Sequence, residues 1–182
     1  LKDVIAKVPA SRLDNHPLIS LDQETRVRHA RGQSLPDWLA MHSGDVDSFP
    51  DAVALPENSE QVRELLRYAR DNNIDVIPYG GGTGLVGGQI QDKGPAGILL
   101  SLERMDKIRS LNVDENIITV EAGVILSNLR DAAEKEKKIF PLSLASEGTA
   151  QIGGNLATNA GGVNVLRYGS TRNLCLGLEV VF

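Results

Sequence analysis

The sequence predicts an α+β fold built around a parallel β-α-β unit, and three observations carry that reading. Two short apolar segments, residues 52–55 and 75–78, flank a stretch whose apolar residues recur at helical spacing. Residues 108–113 and 117–121 read as two strands of a hairpin around Asp114-Glu-Asn116. Twelve of the 18 glycines crowd into two stretches, at 80, 81, 82, 84, 87 and 88 and at 148, 153, 154, 161, 162 and 169. Glycine loses more backbone freedom on folding than any other residue, so such crowding in an ordinary composition needs a physical reason.

The elements follow in chain order. Residues 1–50 read as an N-terminal arm, with a short helix over 4–13 and an irregular stretch over 31–50, where Gly32, Pro36, Gly44 and Pro50 fall. Ala52-Val-Ala-Leu55 is a strand stopped by Pro56. Ser59 is the expected helix N-cap, with Glu60 in the first turn, where a carboxylate suits the helix dipole. Val62, Leu65, Leu66 and Ala69 then form one apolar face, and Asn72-Asn73 ends the helix. Strands follow at 75–78 and 97–102, then the hairpin, then a helix over 125–137 with Leu126, Leu129 and Ala133 on one face. Residues 178–182 read as a final strand. The expected division is an arm (1–50), a small β-α-β subdomain (51–103) and a larger mixed-sheet subdomain (104–182). The chain begins with Leu1 rather than Met and ends inside a β-branched run, so the sequence is expected to be a fragment truncated at its C-terminus.

Composition narrows the function. Apolar residues make up 41% and charged residues 24%, the ordinary globular range. A net charge of -5 and the lack of a basic run argue against nucleic acid as the main partner. No apolar run approaches the ~20 residues of a membrane-spanning helix. The single cysteine, Cys175, forms no internal disulfide, which points to the cytoplasm or another reducing compartment. His16, His29 and His42 match no metal-ligand spacing, so no metal site is expected.

The first glycine cluster contains Gly82-x-Gly84-x-x-Gly87, the spacing of the dinucleotide fingerprint. That motif must open a helix, and Gly87, Gly88, Gly94 and Pro95 leave no room for one. A glycine run without a helix can instead converge successive backbone N–H groups on an anion, with Thr83 adding a hydroxyl. The second cluster mixes small residues with Asn155, Thr158 and Asn159, which suits either the polar edge of a heterocycle or a tight loop-rich core. Arg167 and Tyr168 either reach a cofactor or substrate or pin the loop.

Pro78-x-Gly-Gly-Gly-Thr-Gly84, Ile152-Gly-Gly-Asn155, Ala157-Thr-Asn-Ala-Gly-Gly162, Arg167-Tyr-Gly169 and Leu176-Gly-Leu-Glu-Val-Val181 together resemble the N-terminal FAD-binding domain of the FAD-linked oxidase family of vanillyl-alcohol-oxidase type. Within that family the combination looks most like the D-2-hydroxyacid dehydrogenases. The resemblance covers about residues 51–182. It implies that Gly80, Gly81, Gly82, Thr83 and Gly84 hold the FAD pyrophosphate through backbone N–H groups, with Pro78 setting the entry to the loop. It further implies that Ser146, Glu147, Gly148 and Thr149 run along the ribityl and isoalloxazine side. Gly153, Gly154 and Asn155 would line the ring, with Thr158, Asn159, Gly161 and Gly162 closing the polar contacts. Members with covalent FAD often carry His just after the glycines; Thr83 stands there, so the FAD is expected to be noncovalent. The implied activity is oxidation of a D-2-hydroxy acid to the 2-oxo acid by hydride transfer to flavin N5. The alternatives are another FAD-linked oxidase, an alkylglycerone-phosphate-synthase-like flavoenzyme, or an inactive apo fragment. The expected partners are a small hydroxyacid substrate and a missing C-terminal substrate domain, where the still unknown catalytic residues are expected to lie.

Overall fold

The structure, a computed structural model, describes residues 2–90 and 94–182. It divides into two compact units: one runs through Ser101 and takes in Val181–Phe182, and the other is Leu102–Val180. Residues 2–50 thus belong to the first unit.

The first unit opens with α1 (Lys2–Ile5), β1 (Ile19–Ser20), α2 (Gln23–His29) and α3 (Leu35–Ser43). It continues through β2 (Ala52–Ala54), α4 (Ser59–Asp71), β3 (Asp75–Tyr79) and β4 (Gly97–Ser101). Its sheet has the order β1-β2-β4-β3. β4 lies between β2 and β3 and runs parallel to both, with Leu99 opposite Val53 on one side and Ile77 on the other. β1 pairs antiparallel with β2 through Ile19 and Ala54. Ala52, Val53, Ala54, Ile98 and Leu99 are all buried, as expected for central strands covered on both faces. α4 buries Val62, Leu65 and Ala69 of the predicted face, while Leu66 is half-buried.

Local chemistry corrects three expectations here. α1 ends at Ile5, so the helix expected over 4–13 is shorter and earlier, with Pro9 outside it. The N-cap of α4 is Asn58, one residue before the expected Ser59; its side chain accepts from Gln61 N–H at 3.0 Å. The stretch over 31–50 is not irregular throughout, because it contains α3. Ser34 and Asp37 form a reciprocal capping box there, and Pro36 sits in the first turn, where its missing N–H costs no hydrogen bond.

Asp51 ties this unit together. Its carboxylate accepts from Arg12 Nη2 at 2.7 Å and from Gly97 N–H at 2.9 Å, at the start of β4. Burial pushes the Asp51 carboxyl up, but the side-chain hydrogen bonds of Arg12, with the N–H groups of Gly97 and Arg12, outweigh it and hold the group below the ordinary carboxylate range. Arg26 is 1% exposed and donates to Pro50 O at 2.6 Å and Pro9 O at 2.8 Å.

The second unit contains β5 (Ile108–Asn112), β6 (Ile117–Val120), α5 (Leu126–Lys135), α6 (Ile152–Ala157), α7 (Val165–Tyr168) and a 3-10 turn at Thr171–Leu174. β5 and β6 form the expected hairpin, with Leu111 opposite Ile118. Val124, Leu126, Leu129, Leu142 and Ile152 make its core, against which Ile118, Val120 and Phe140 pack. Two expectations fail in this unit. Among its described residues the only sheet is the two-stranded hairpin, not a larger mixed sheet. Residues 178–182 form no strand: no described backbone pairs with them, and a strand needs a hydrogen-bonded neighbour. Leu178 and Val180 stand exposed there, while Glu179 pairs with Arg109 at 3.2 Å.

Candidate functional site

β3 leads directly into the first glycine cluster. It is an edge strand, which tolerates Pro78 because a ladder position on the solvent side needs no donor. Residues 80–90 follow as turns and bends, so the fingerprint spacing opens no helix there; residues 91–93, part of the stretch expected to lack a helix, lie outside the described residues. Among the described residues, the backbone N–H groups of Gly80, Gly81, Gly82, Thr83 and Gly84 donate to no protein acceptor. Unpartnered successive N–H groups on a loop are the raw material of an anion cradle. Within this loop only Gly82 takes a left-handed conformation, at φ +67°, and a Cβ there would run into the Tyr79 hydroxyl.

The loop is backed by residues that the sequence did not single out. Gln33 N–H donates to Gly84 O at 2.8 Å. Gly32 is buried against Gly84 and the side chain of Gln89, which is 9% exposed. The sequence signal lay in Ser34 and Asp37, whose capping box fixes the segment on which Gly32 and Gln33 stand.

The second cluster is organised differently. Ser146 O accepts from Thr149 N–H at 3.0 Å and Ala150 N–H at 2.8 Å, closing a turn. Glu147 O accepts from Ser127 N–H at 3.0 Å, and its carboxylate pairs with Arg130. Gly148 is exposed, with open space where a side chain would stand. Gly153 and Gly154 lie inside α6, which the sequence did not predict. The helix forms because Gly153 packs on the chain beside it: its N–H donates to Ala122 O at 2.8 Å, and a Cβ would lie 2.9 Å from that of Ala122. The Thr158 hydroxyl donates to Gly154 O at 2.9 Å. Asn159 stands at φ +52° and accepts from Arg172 N–H at 3.1 Å. Gly161 neighbours Val165, and Gly162, at φ +70°, lies against Ser143 O. Arg167 stacks over Tyr168 at 5.3 Å, and both are exposed.

Two buried side-chain atoms in this stretch lack a partner among the described residues: Asn155 Nδ2, a donor, and Gln151 Oε1, an acceptor. The sequence pointed to Asn155 and missed Gln151, although an amide directly before Ile152-Gly-Gly-Asn155 was the available signal. Arg172 was also missed; it donates to Leu156 O at 3.0 Å and Ala157 O at 2.7 Å, closing the end of α6.

Free donors on a glycine loop fit a diphosphate, and an orphaned amide donor and acceptor fit a polar ring edge; both are features of FAD. Among the described residues no group of three or more His, Cys, Asp or Glu side chains gathers to hold a metal, and no helix is long and apolar enough to cross a membrane.

Comparison with known proteins agrees with this chemistry. Residues 50–182 match the family described as FAD binding domain. The chain is 42% identical over 174 residues to a D-2-hydroxyglutarate dehydrogenase of Xanthomonas citri pv. viticola, covering 96% of this chain and 33% of that protein. It is also 42% identical over 147 residues to the mitochondrial D-2-hydroxyglutarate dehydrogenase of Danio rerio, covering 80% of this chain and 26% of the relative. The chain therefore spans about a third or less of the length of these relatives. Among solved structures, an alkyldihydroxyacetonephosphate synthase superposes with a TM-score of 0.83 at 23% identity, over 94% of this chain and 34% of that one. At that identity the likeness shows the fold.

Proposed function

The chain belongs to the FAD binding domain family, and on that premise we propose that it is the flavin-holding part of a dehydrogenase that oxidises D-2-hydroxy acids to 2-oxo acids. The observation that carries this reading is the run of five backbone N–H groups at 80–84 with no acceptor among the described residues, held at the end of edge strand β3. These donors bind the diphosphate of a noncovalent FAD, and Pro78 directs the chain into them. Backbone donors suit the task because they present fixed dipoles to an anion without a cationic side chain.

In the second unit, Ser146, Glu147, Gly148 and Thr149 run along the ribityl side. Gly153, Gly154 and Asn155 line the ring, and Thr158, Asn159, Gly161 and Gly162 complete its surroundings. Asn155 Nδ2 is a buried donor there with no partner among the described residues, and donation from it orients a ring acceptor. When bound, the flavin supplies a hydride acceptor for the carbon that bears the substrate hydroxyl. The groups that hold the hydroxyacid and take its proton belong to a substrate domain outside these residues, and the protein works in a compartment that keeps Cys175 reduced.

D-2-hydroxyglutarate is the substrate to try first, because relatives at 42% identity carry its name. The test is anaerobic addition of D-2-hydroxyglutarate and other D-2-hydroxy acids to the flavin-loaded whole protein. Bleaching of the visible flavin band is expected; a flavin that stays oxidised with every D-2-hydroxy acid contradicts the assignment.

A further inference from the structure

We propose that Gly32, Gln33 and Gln89 are positioning residues for the 80–84 loop, holding it in its diphosphate-binding conformation before any flavin is present. The proposal rests on the reading of that loop as the FAD cradle. A run of glycines samples many backbone conformations, and a ligand that must order it loses affinity in doing so. The loop is not left to order itself. Gly84 O accepts from Gln33 N–H at 2.8 Å. Gln33 leads into the capping box of α3, where Ser34 Oγ donates to Asp37 Oδ2 at 2.6 Å and accepts from Asp37 N–H at 3.2 Å. The donor that holds Gly84 is therefore fixed by a helix start whose Asp37 is wholly buried.

Gly32 allows the close approach. A Cβ there would lie 2.5 Å from Gly84 O and 2.6 Å from Gln89 Nε2, closer than side-chain carbons stand in proteins. Gln89 fills the space behind the loop, its Oε1 lying 3.6 Å from where a Gly84 Cβ would be. Its Nε2 is buried and has no partner among the described residues. A buried unpartnered amide destabilises a fold. Wedged between Gly32 and Gly84, the same amide sets the spacing of the two chain segments.

The test compares the wild-type protein, Gly32→Ala and Gln89→Leu in titrations with FAD and with riboflavin, which lacks the diphosphate, and in amide hydrogen exchange of the flavin-free proteins. The Kd for FAD is expected to rise by roughly tenfold in Gly32→Ala and by a smaller factor in Gln89→Leu, with riboflavin affinity unchanged. Exchange across residues 80–90 should quicken while the rest of the protein keeps its rates. FAD and riboflavin weakened equally, or exchange across 80–90 unchanged in both variants, overturns the proposal. Gln89→Leu conserves side-chain volume and decides the matter where Gly32→Ala fails to fold. Gly81→Val separates this proposal from the reading beneath it. If Gly81→Val leaves FAD affinity intact, the cradle itself is wrong. If it removes FAD binding while Gly32→Ala and Gln89→Leu do not, the positioning role alone is wrong.

Discussion

The two glycine-rich stretches look alike in sequence and differ in what their backbones do. In the first, residues 80–84 leave successive N–H groups without acceptors among the described residues. In the second, Gly153 N–H donates to Ala122 O, and Thr158 and Asn159 are engaged by Gly154 O and Arg172 N–H. One stretch keeps its hydrogen-bonding capacity for something outside the chain; the other uses most of its capacity to fold. Glycine serves access in the first and close packing in the second. Among the described residues, the buried side-chain atoms Asn155 Nδ2 and Gln151 Oε1 and the backbone N–H groups of Gly148, Gly161 and Gly162 interrupt the second pattern by having no partner.

That contrast is breakable. The largest effect is expected at Gly153→Val. Its side chain would occupy the place of Ala122, and overpacking there should cost about 3 kcal/mol or more, read as a large drop in melting temperature or loss of soluble protein. A variant that melts like the wild type would remove the packing role. Gly81→Val should act in the opposite sense, leaving melting nearly unchanged and weakening FAD by roughly tenfold or more, or about 1.4 kcal/mol. Gly81 is not among the glycines of left-handed conformation, unlike Gly82, so the expected effect at that position is obstruction of the diphosphate.

Two asparagines sharpen the difference within the second stretch. Asn159→Leu should destabilise the flavin-free protein by about 1–3 kcal/mol, since it places a branched side chain at φ +52° and strips Arg172 N–H of its acceptor. Asn155→Leu removes a buried orphan donor, so the flavin-free protein should melt at or above the wild-type temperature while FAD binding weakens by about 1–2 kcal/mol. Calorimetry with and without FAD reads both. Equal behaviour of the two variants would erase the distinction between an engaged amide and a free one.

The smallest effect concerns the sheet that carries the first loop. The Asp51 carboxyl titrates below its unfolded value, so its stabilisation is present above the ordinary carboxylate range and is lost as the pH falls through the lowered value. Asp51→Asn should cost about 0.5–1 kcal/mol at neutral pH, moderated because Arg12 is half-exposed, and should flatten the acid side of the stability curve. A variant with an unaltered acid limb would show that the clamp between Arg12 and Gly97 carries no linkage.

Much of this was legible in the sequence. The β-α-β pattern, the hairpin and the apolar face of α4 are periodic signals, and periodicity survives folding wherever one face is buried. The glycine loop was legible because a fingerprint spacing lacked the helix it requires. α3 was not, because Pro36 falls with Gly32, Gly44 and Pro50 in a stretch whose composition suggests irregular chain, whereas Pro36 stands in the first turn of the helix. α6 was not, because two consecutive glycines oppose helix propensity, and the packing against Ala122 that overrides it is a long-range contact. The strand expected over 178–182 has the right residues, but strand formation depends on a neighbour that local sequence does not encode. The parts behind the cradle, Gly32, Gln33 and Gln89, lie far from the glycine motif in sequence or carry no motif of their own.

Diphosphate binding at the 80–84 loop is tested by an amide chemical-shift titration of the isotope-labelled protein with ADP, which carries a diphosphate and no flavin ring. Shifts are expected to concentrate at the N–H groups of Gly80, Gly81, Gly82, Thr83 and Gly84, with residues 153–162 unmoved. Shifts centred on 153–162, or none across 80–84 at saturating ADP, would contradict diphosphate binding at that loop.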